Sequence, residues 1–350
     1  MSLAALSFDP GQVTIELAER VPTVSVVICT RNRPATLEKC LAAVCGLSPA
    51  PDQVLVVDNS EGNSETARLA QRAGARYIVE PVEGLSRARN RGLAECDTEI
   101  VAYVDDDAIP APDWLGFLLT PFENENVAAS AGKVFTPESD LEALRNETPR
   151  RLNNKSPLWF EIASFGGMGL GSNMALRRSA CTGWTVFDER LGRGAPFRIG
   201  EETYALAKLL SHGHSAVYLP TAVVMHPSLR RDSTVQEARN SIAYSLVLFF
   251  AFPSQRLDLL RFLCRRLRGK PLTWPRDTQE PGDILRSNWK IKVWATLSAL
   301  ILFCRTRKPH DEPRLSDKLP VPQSSTRSAM RRMVVLTAAL LSSKRKLSGH

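Results

Sequence analysis

Four short apolar runs, Val24–Cys29, Gln53–Val57, Tyr77–Val79 and Ile100–Val104, recur with helical segments between them, and this alternation narrows the choice of fold. Runs of this length without polar alternation read as strands covered on both faces. Ala35–Val44 carries helical spacing through Leu37, Cys40, Leu41 and Val44. A second helix starts near Ser64 and ends before Gly74, and a third closes over Asn90–Glu95. Strands and helices alternating at this interval predict right-handed βαβ units and a mostly parallel α/β sheet flanked by helices. Ligands of such sheets bind beyond the carboxyl ends of the strands. Thr30, Asp58 and Asp105–Asp107 all fall at predicted carboxyl ends, so one site can gather them.

The acidic triplet is the sharpest chemical signal. Asp105-Asp106-Asp107 follows a buried strand directly, and adjacent carboxylates repel one another unless a positive charge lies among them. A hard divalent cation such as Mg²⁺ or Mn²⁺ answers that need, because it takes oxygen ligands and substrate phosphates together. A solvated acidic turn is the plainer alternative. Between the third strand and the triplet, Gly84–Gly92 places Arg87, Arg89 and Arg91 at alternate positions. On a helix these cannot all face one way, so at least one is expected at the sheet edge, where a diphosphate would meet a guanidinium. An exposed basic helix face is the equal alternative for Arg89 and Arg91.

Charge divides the chain. Of 350 residues, positions 1–230 hold 22 Lys/Arg against 28 Asp/Glu, a net of −6, while 231–350 hold 23 against 9, a net of +14. The expected organisation is an extension over 1–21, a catalytic body over 22–230 and a basic helical appendage over 231–350. In the appendage, Leu257, Leu260, Leu263 and Leu267 follow helical spacing among Arg256, Arg261, Arg265, Arg266 and Arg268. Trp289–Phe303 and Arg331–Lys346 give two further segments of the same kind. Such helices suit either the anionic inner face of a cell membrane or packing on the body with a solvated basic exterior. No aromatic-interleaved or groove-reading motif points to nucleic acid. Met1–Val21 shows no basic segment leading into an apolar run, no stretch of about eighteen apolar residues occurs, and the seven cysteines are dispersed. A cytoplasmic protein with reduced thiols, peripheral on the membrane at most, is the expectation.

Taken in order, Val24–Pro34, the strand ending Val57-Asp58-Asn59-Ser60, Gly84–Gly92 and Asp105–Asp107 resemble the signatures of family-2 glycosyltransferases over roughly residues 22–230. The resemblance implies a GT-A fold, an Asp-x-Asp metal site and inverting transfer from a nucleotide-diphosphate sugar donor to a hydroxyl acceptor, such as a cell-envelope polysaccharide or glycolipid. By that resemblance Thr30, Arg31, Asp58, Gly84, Arg87, Asn90, Asp105 and Asp106 frame the nucleotide sugar. Asn173, in the small-residue strand Gly171–Leu176, lies under the donor sugar. Asp107, Asp105 and His226 hold Mg²⁺ or Mn²⁺. The family places an acidic pair, most often Glu-Asp, where this chain has Glu201-Glu202, and there Glu202 is the implied base with Glu201 in support. Acids in a first helical turn also favour the positive end of the helix dipole, which is expected to keep both ionised near neutral pH. Arg31 stands where the family often has Tyr. Gly166–Gly171 and the polar stretch 133–165 read as a mobile acceptor side or a surface excursion. A sugar nucleotidyltransferase and a non-catalytic membrane- or polysaccharide-binding scaffold of the same fold remain the alternatives.

Overall fold

The computed structural model describes residues 22–136, 147–227, 234–267 and part of 298–306. The leader, the segment Arg331–Lys346 and most of Trp289–Phe303 lie outside the described residues. The first unit runs β1 (Val24–Thr30), α1 (Pro34–Cys45), β2 (Gln53–Asp58), α2 (Ser64–Arg72), β3 (Arg76–Val79), α3 (Leu85–Glu95) and β4 (Ile100–Asp105). The second runs β5 (Ile109–Pro110), α4 (Trp114–Leu119), β6 (Val127–Phe135), β7 (Arg150–Asn153), α5 (Trp159–Ser164), β8 (Asn173–Arg177), α6 (Glu201–Ser211) and β9 (Ser215–Met225). Two helices follow, α7 (Thr234–Ala251) and α8 (Arg256–Leu267).

Local chemistry explains several boundaries. Pro34 opens α1, where its missing N–H costs nothing. The Asn63 side chain accepts from the N–H groups of Glu65 and Thr66 and so caps α2. The strands lie in the order β3-β2-β1-β4-β8-β6-β9-β5, with β7 on β9. β1 through β4 pair in parallel as expected. Beyond β4 the sheet is mixed: β8 is antiparallel to β4 and β6, and β5 and β7 are antiparallel to β9. The expected α/β sheet flanked by helices is present, with β6 parallel to β9. The antiparallel strands beyond β4 were not expected, because β5, β6 and β7 are short or rich in Ala, Ser and Gly and carry little strand signal.

Both faces of the sheet are covered, which is why its first strands lack alternation. Val26, Ile28, Val56, Ala102 and Val104 pack in one apolar cluster with α1, α2 and α4. Their neighbours Val27, Leu55, Val57, Val101 and Tyr103 face the opposite cluster, with α3, α5 and α6. Each fully buried Val or Leu contributes about 1.5–3 kcal/mol by leaving water. Ala243, Tyr244, Val247, Leu248, Phe252 and Leu259 of the last two helices belong to that second cluster. Gly166–Gly171 is packed rather than loose: Met168 is buried, and Gly169 lies against Ala131 and Gly132. Within 133–165, residues 133–135 extend β6, and β7 and α5 form regular structure. Among the described residues no helix is long and apolar enough to cross a membrane.

Candidate active site

Register places the first acids. Thr30 pairs with Asp58 across β1 and β2, and Cys29 pairs with Asp105 across β1 and β4, so three strands end at one edge. Immediately after the triplet, β5 pairs with the end of β9, Ile109 opposite Met225. This pairing, together with the His226 N–H donating to the Phe135 carbonyl at 2.7 Å, carries His226 over the triplet. Its Nε2 lies 3.2 Å from Asp107 Oδ1 and 3.8 Å from Asp105 Oδ2, and Nδ1 lies 2.7 Å from the Pro227 carbonyl oxygen. One ligand atom from each of Asp105, Asp107 and His226 falls within 4.8 Å of the others. Two hard carboxylates and an imidazole make a donor set that suits Mn²⁺ and accepts Mg²⁺.

The middle acid points elsewhere. Thr30 Oγ1 donates to Asp106 Oδ2 at 2.6 Å, and Arg33 pairs with both Asp106 and Asp107. Arg33 was not singled out in the sequence, where it sits in a turn beside Pro34. Burial opposes charge on all three acids, but the outcomes differ. Asp106 is pushed up to about 6, its burial and acidic neighbours outweighing Arg33 and Thr30. Asp107 falls to about 2 and Asp105 is also lowered, because His226 and, respectively, Arg33 and Arg89 more than offset burial. Burial disfavours a proton on His226, yet its hydrogen bonds to the two carboxylates raise it to about 10.

Of the three alternating arginines, Arg89 is the buried one, 2% exposed, and it takes the inward place rather than the exposed basic face. Its Nη2 lies 3.2 Å from Asp105 Oδ1 and its Nη1 3.0 Å from Glu201 Oε1. The guanidinium fits because Gly171 has no side chain; a Cβ there would stand 2.6 Å from Nη1. Arg87 pairs with Glu189 at 2.7 Å and Arg91 with Glu95 at 2.9 Å. Arg89 therefore joins the Asp–Asp–His cluster to the acid pair at the start of α6. Burial and the charge of Glu201 raise the Glu202 carboxyl to about 8, against the pull of Arg89. This corrects the expectation that the helix dipole keeps both acids ionised at neutral pH: desolvation beside a second carboxylate outweighs a dipole worth about 0.3–1 kcal/mol.

Other sequence-derived residues serve the scaffold. Asn90 closes both ends of its amide on the Phe187 main chain, at 2.8 and 3.0 Å. Asn173, fully buried, accepts from Trp114 Nε1 and donates to the carbonyls of Lys133 and Ala222. These bonds tie both amides to the scaffold; the half-buried Asn90 keeps one N–H and one lone pair, and Asn173 one lone pair. Asp58, fully buried, accepts from Ser60 Oγ, the Asn63 N–H and Tyr77 Oη at 2.7–3.0 Å and so shapes the turn after β2. Gly84, with φ +146, donates its N–H to Asn59 Oδ1 at 2.8 Å, and Arg31 pairs with Glu83.

The family model for glycosyl transferase family 2 matches residues 25–183. Over these residues, somewhat under half of its length, the chain is similar to glycosyl transferase family 2. The match holds the strand ends, Arg89 and the acidic triplet, while Glu201, Glu202 and His226 lie beyond it. A pre-mycofactocin glycosyltransferase of Mycobacterium tuberculosis is 28% identical over 214 residues, 58% of this chain and 42% of that protein. An N-acetylglucosaminyltransferase of Mesorhizobium japonicum is 26% identical over 253 residues, 65% of this chain and 58% of that protein. The chain thus spans about half the length of these two curated relatives. Among solved structures, S. aureus TarS 1-349 in complex with UDP-GlcNAc superposes with a TM-score of 0.55 and 14% identity over 81% of each chain, a likeness of fold.

Proposed function

We propose that this chain transfers a glycosyl group, with inversion, from a nucleotide-diphosphate sugar to a hydroxyl acceptor of a glycan or glycolipid. The observation that carries the reading is Arg89, which holds the acid pair of α6 and the cation-binding cluster in one buried network. The family match and the complex of TarS with UDP-GlcNAc support a nucleotide sugar as donor. Asp105, Asp107 and His226 would hold the divalent cation, which supplies charge neutralisation for the departing nucleoside diphosphate.

The residues of the chain do the rest. Asp58 holds the turn after β2, next to Thr30 at the adjoining strand end, where the nucleotide would lie. Arg33 holds Asp106 and Asp107 apart from one another's charge and fixes the triplet. Glu202 takes the proton of the acceptor hydroxyl as that oxygen attacks the anomeric carbon from the face opposite the leaving group. Glu201, tied to Arg89, stays in place beside it. The arginines of α8 would bring the enzyme to an anionic surface on the cytoplasmic side, within reach of a lipid-linked acceptor.

Purified chain incubated with a panel of nucleotide sugars and Mn²⁺ tests the reading. Release of nucleoside diphosphate, with a product of inverted anomeric configuration by NMR, is the expected result. Pyrophosphate release would instead show nucleotidyl transfer, and no turnover of any donor would leave a binding scaffold.

A further inference from the structure

The acid pair stands at a helix start whose N-cap carries no side chain. Gly200 is the N-cap of α6, in the left-handed region at φ +88, and it makes no side-chain cap. A side-chain cap would have held one of the first N–H groups of the helix. Support comes from α7, outside the residues matched to the family. Tyr244, 4% exposed, lays its ring against Gly200 so closely that a Cβ there would stand 2.5 Å from Cε2. Its hydroxyl lies 2.7 Å from Thr203 Oγ1 and donates to the Ser164 carbonyl at 3.0 Å. Thr203 Oγ1 in turn lies 3.1 Å from the Gly200 carbonyl. The ring also meets Phe165 edge-on, with centroids 6.1 Å apart, at the head of the glycine run that makes room for Arg89.

We propose that Tyr244 is a positioning residue for Glu202: by clamping the turn Gly200–Thr203 it sets the direction in which the Glu202 carboxyl meets the acceptor. It touches no substrate, and its effect on rate rests on the glycosyl-transfer reading, whereas its effect on Glu202 does not. The phenol acts through two contacts on a single turn. The ring excludes any side chain at 200, and the hydroxyl ties Thr203, the neighbour of Glu202, to the carbonyl that ends α5. In this view α7 is part of the catalytic unit rather than a separate attachment.

The test compares wild type, Tyr244→Phe, Thr203→Val and the double variant by steady-state kinetics, thermal melting and ¹³C NMR of the Glu202 carboxyl, assigned with Glu202→Gln. Tyr244→Phe keeps the ring and removes one oxygen. Its kcat is expected to fall about tenfold, since small misplacement of a reacting group costs rate steeply. Donor KM should stay within about twofold, as the donor is bound by other residues. The double variant should be no slower than the slower single variant, because both remove one shared contact. The Glu202 resonance should shift in Tyr244→Phe. Unchanged kcat and an unchanged resonance would overturn the proposal, as would losses of kcat that track only a collapse in melting temperature. A shifted resonance in a protein whose wild type transfers no sugar would uphold the positioning role and refute glycosyl transfer.

Discussion

Without the Arg89 guanidinium, Asp105 and Glu201 would share a buried space with no counter-charge between them. Arg89→Met is therefore expected to lose about 3–5 kcal/mol of stability, the usual consequence of breaking a buried ion pair. Urea denaturation reads this directly, and a loss within experimental error would show that the network contributes nothing. With Glu202 as the proposed base, its carboxyl would set the pH behaviour. Burial and Glu201 raise its carboxyl to about 8, so at pH 6 most of the base is protonated and idle. kcat/KM should rise with pH through that value and then level, whereas an ordinary glutamate would have levelled near pH 5–6. A profile flat from pH 6 to 9 would remove Glu202 from the role. Glu202→Gln should keep donor binding and lose about 10²–10⁴-fold in transfer, the range of a general base. His226 has the opposite problem: the proton it carries below about pH 10 must leave before the nitrogen can bind metal, so Mn²⁺ affinity by calorimetry should increase with pH.

Between elements, what the sequence disclosed follows from where the physics is local. The strands of the parallel half are continuous Val-, Leu- and Ile-rich runs because both faces are buried, and so they were legible with their carboxyl-end residues Thr30, Asp58 and Asp105. β6 was not, because Val127–Phe135 must be thin: Ala129, Ser130 and Gly132 pass close to β8 and β9, and Asn173 fills the space beside Gly132. Small residues carry no strand signature. The burial of Arg89 was equally hidden, since alternate spacing on α3 says that one arginine turns inward without saying which; the space that admits it belongs to Gly171, eighty-two positions later. That dependence has its own test. Gly171→Ala puts a methyl 2.6 Å from the guanidinium, and overpacking of this kind costs about 1–3 kcal/mol. Melting and metal-dependent turnover should fall together. Wild-type turnover in Gly171→Ala would mean that the guanidinium position is not coupled to the chemistry.

Over the whole molecule, charge suggested a break near position 230, and composition cannot reveal that apolar residues beyond it complete a core before it. Phe252 lies edge-on to Phe160 and Tyr204, Phe262 stacks on Phe165, and Arg265 pairs with Glu161. A chain ended at Pro227 is expected to bind hydrophobic dye and to lose its cooperative melt, because it exposes that surface to water. A sharp melt equal to the full chain's would show that the body is complete without α7 and α8. The central claim, that the acids of strands and helix surround one cation-bound diphosphate, is tested most directly by an anomalous-scattering map from crystals grown with Mn²⁺ and a nucleoside diphosphate. The expected map has a single strong peak ligated by Asp105, Asp107 and His226, with the diphosphate on it and its open side toward Glu202. Manganese bound elsewhere, with the three residues keeping their own hydrogen bonds, would contradict the account.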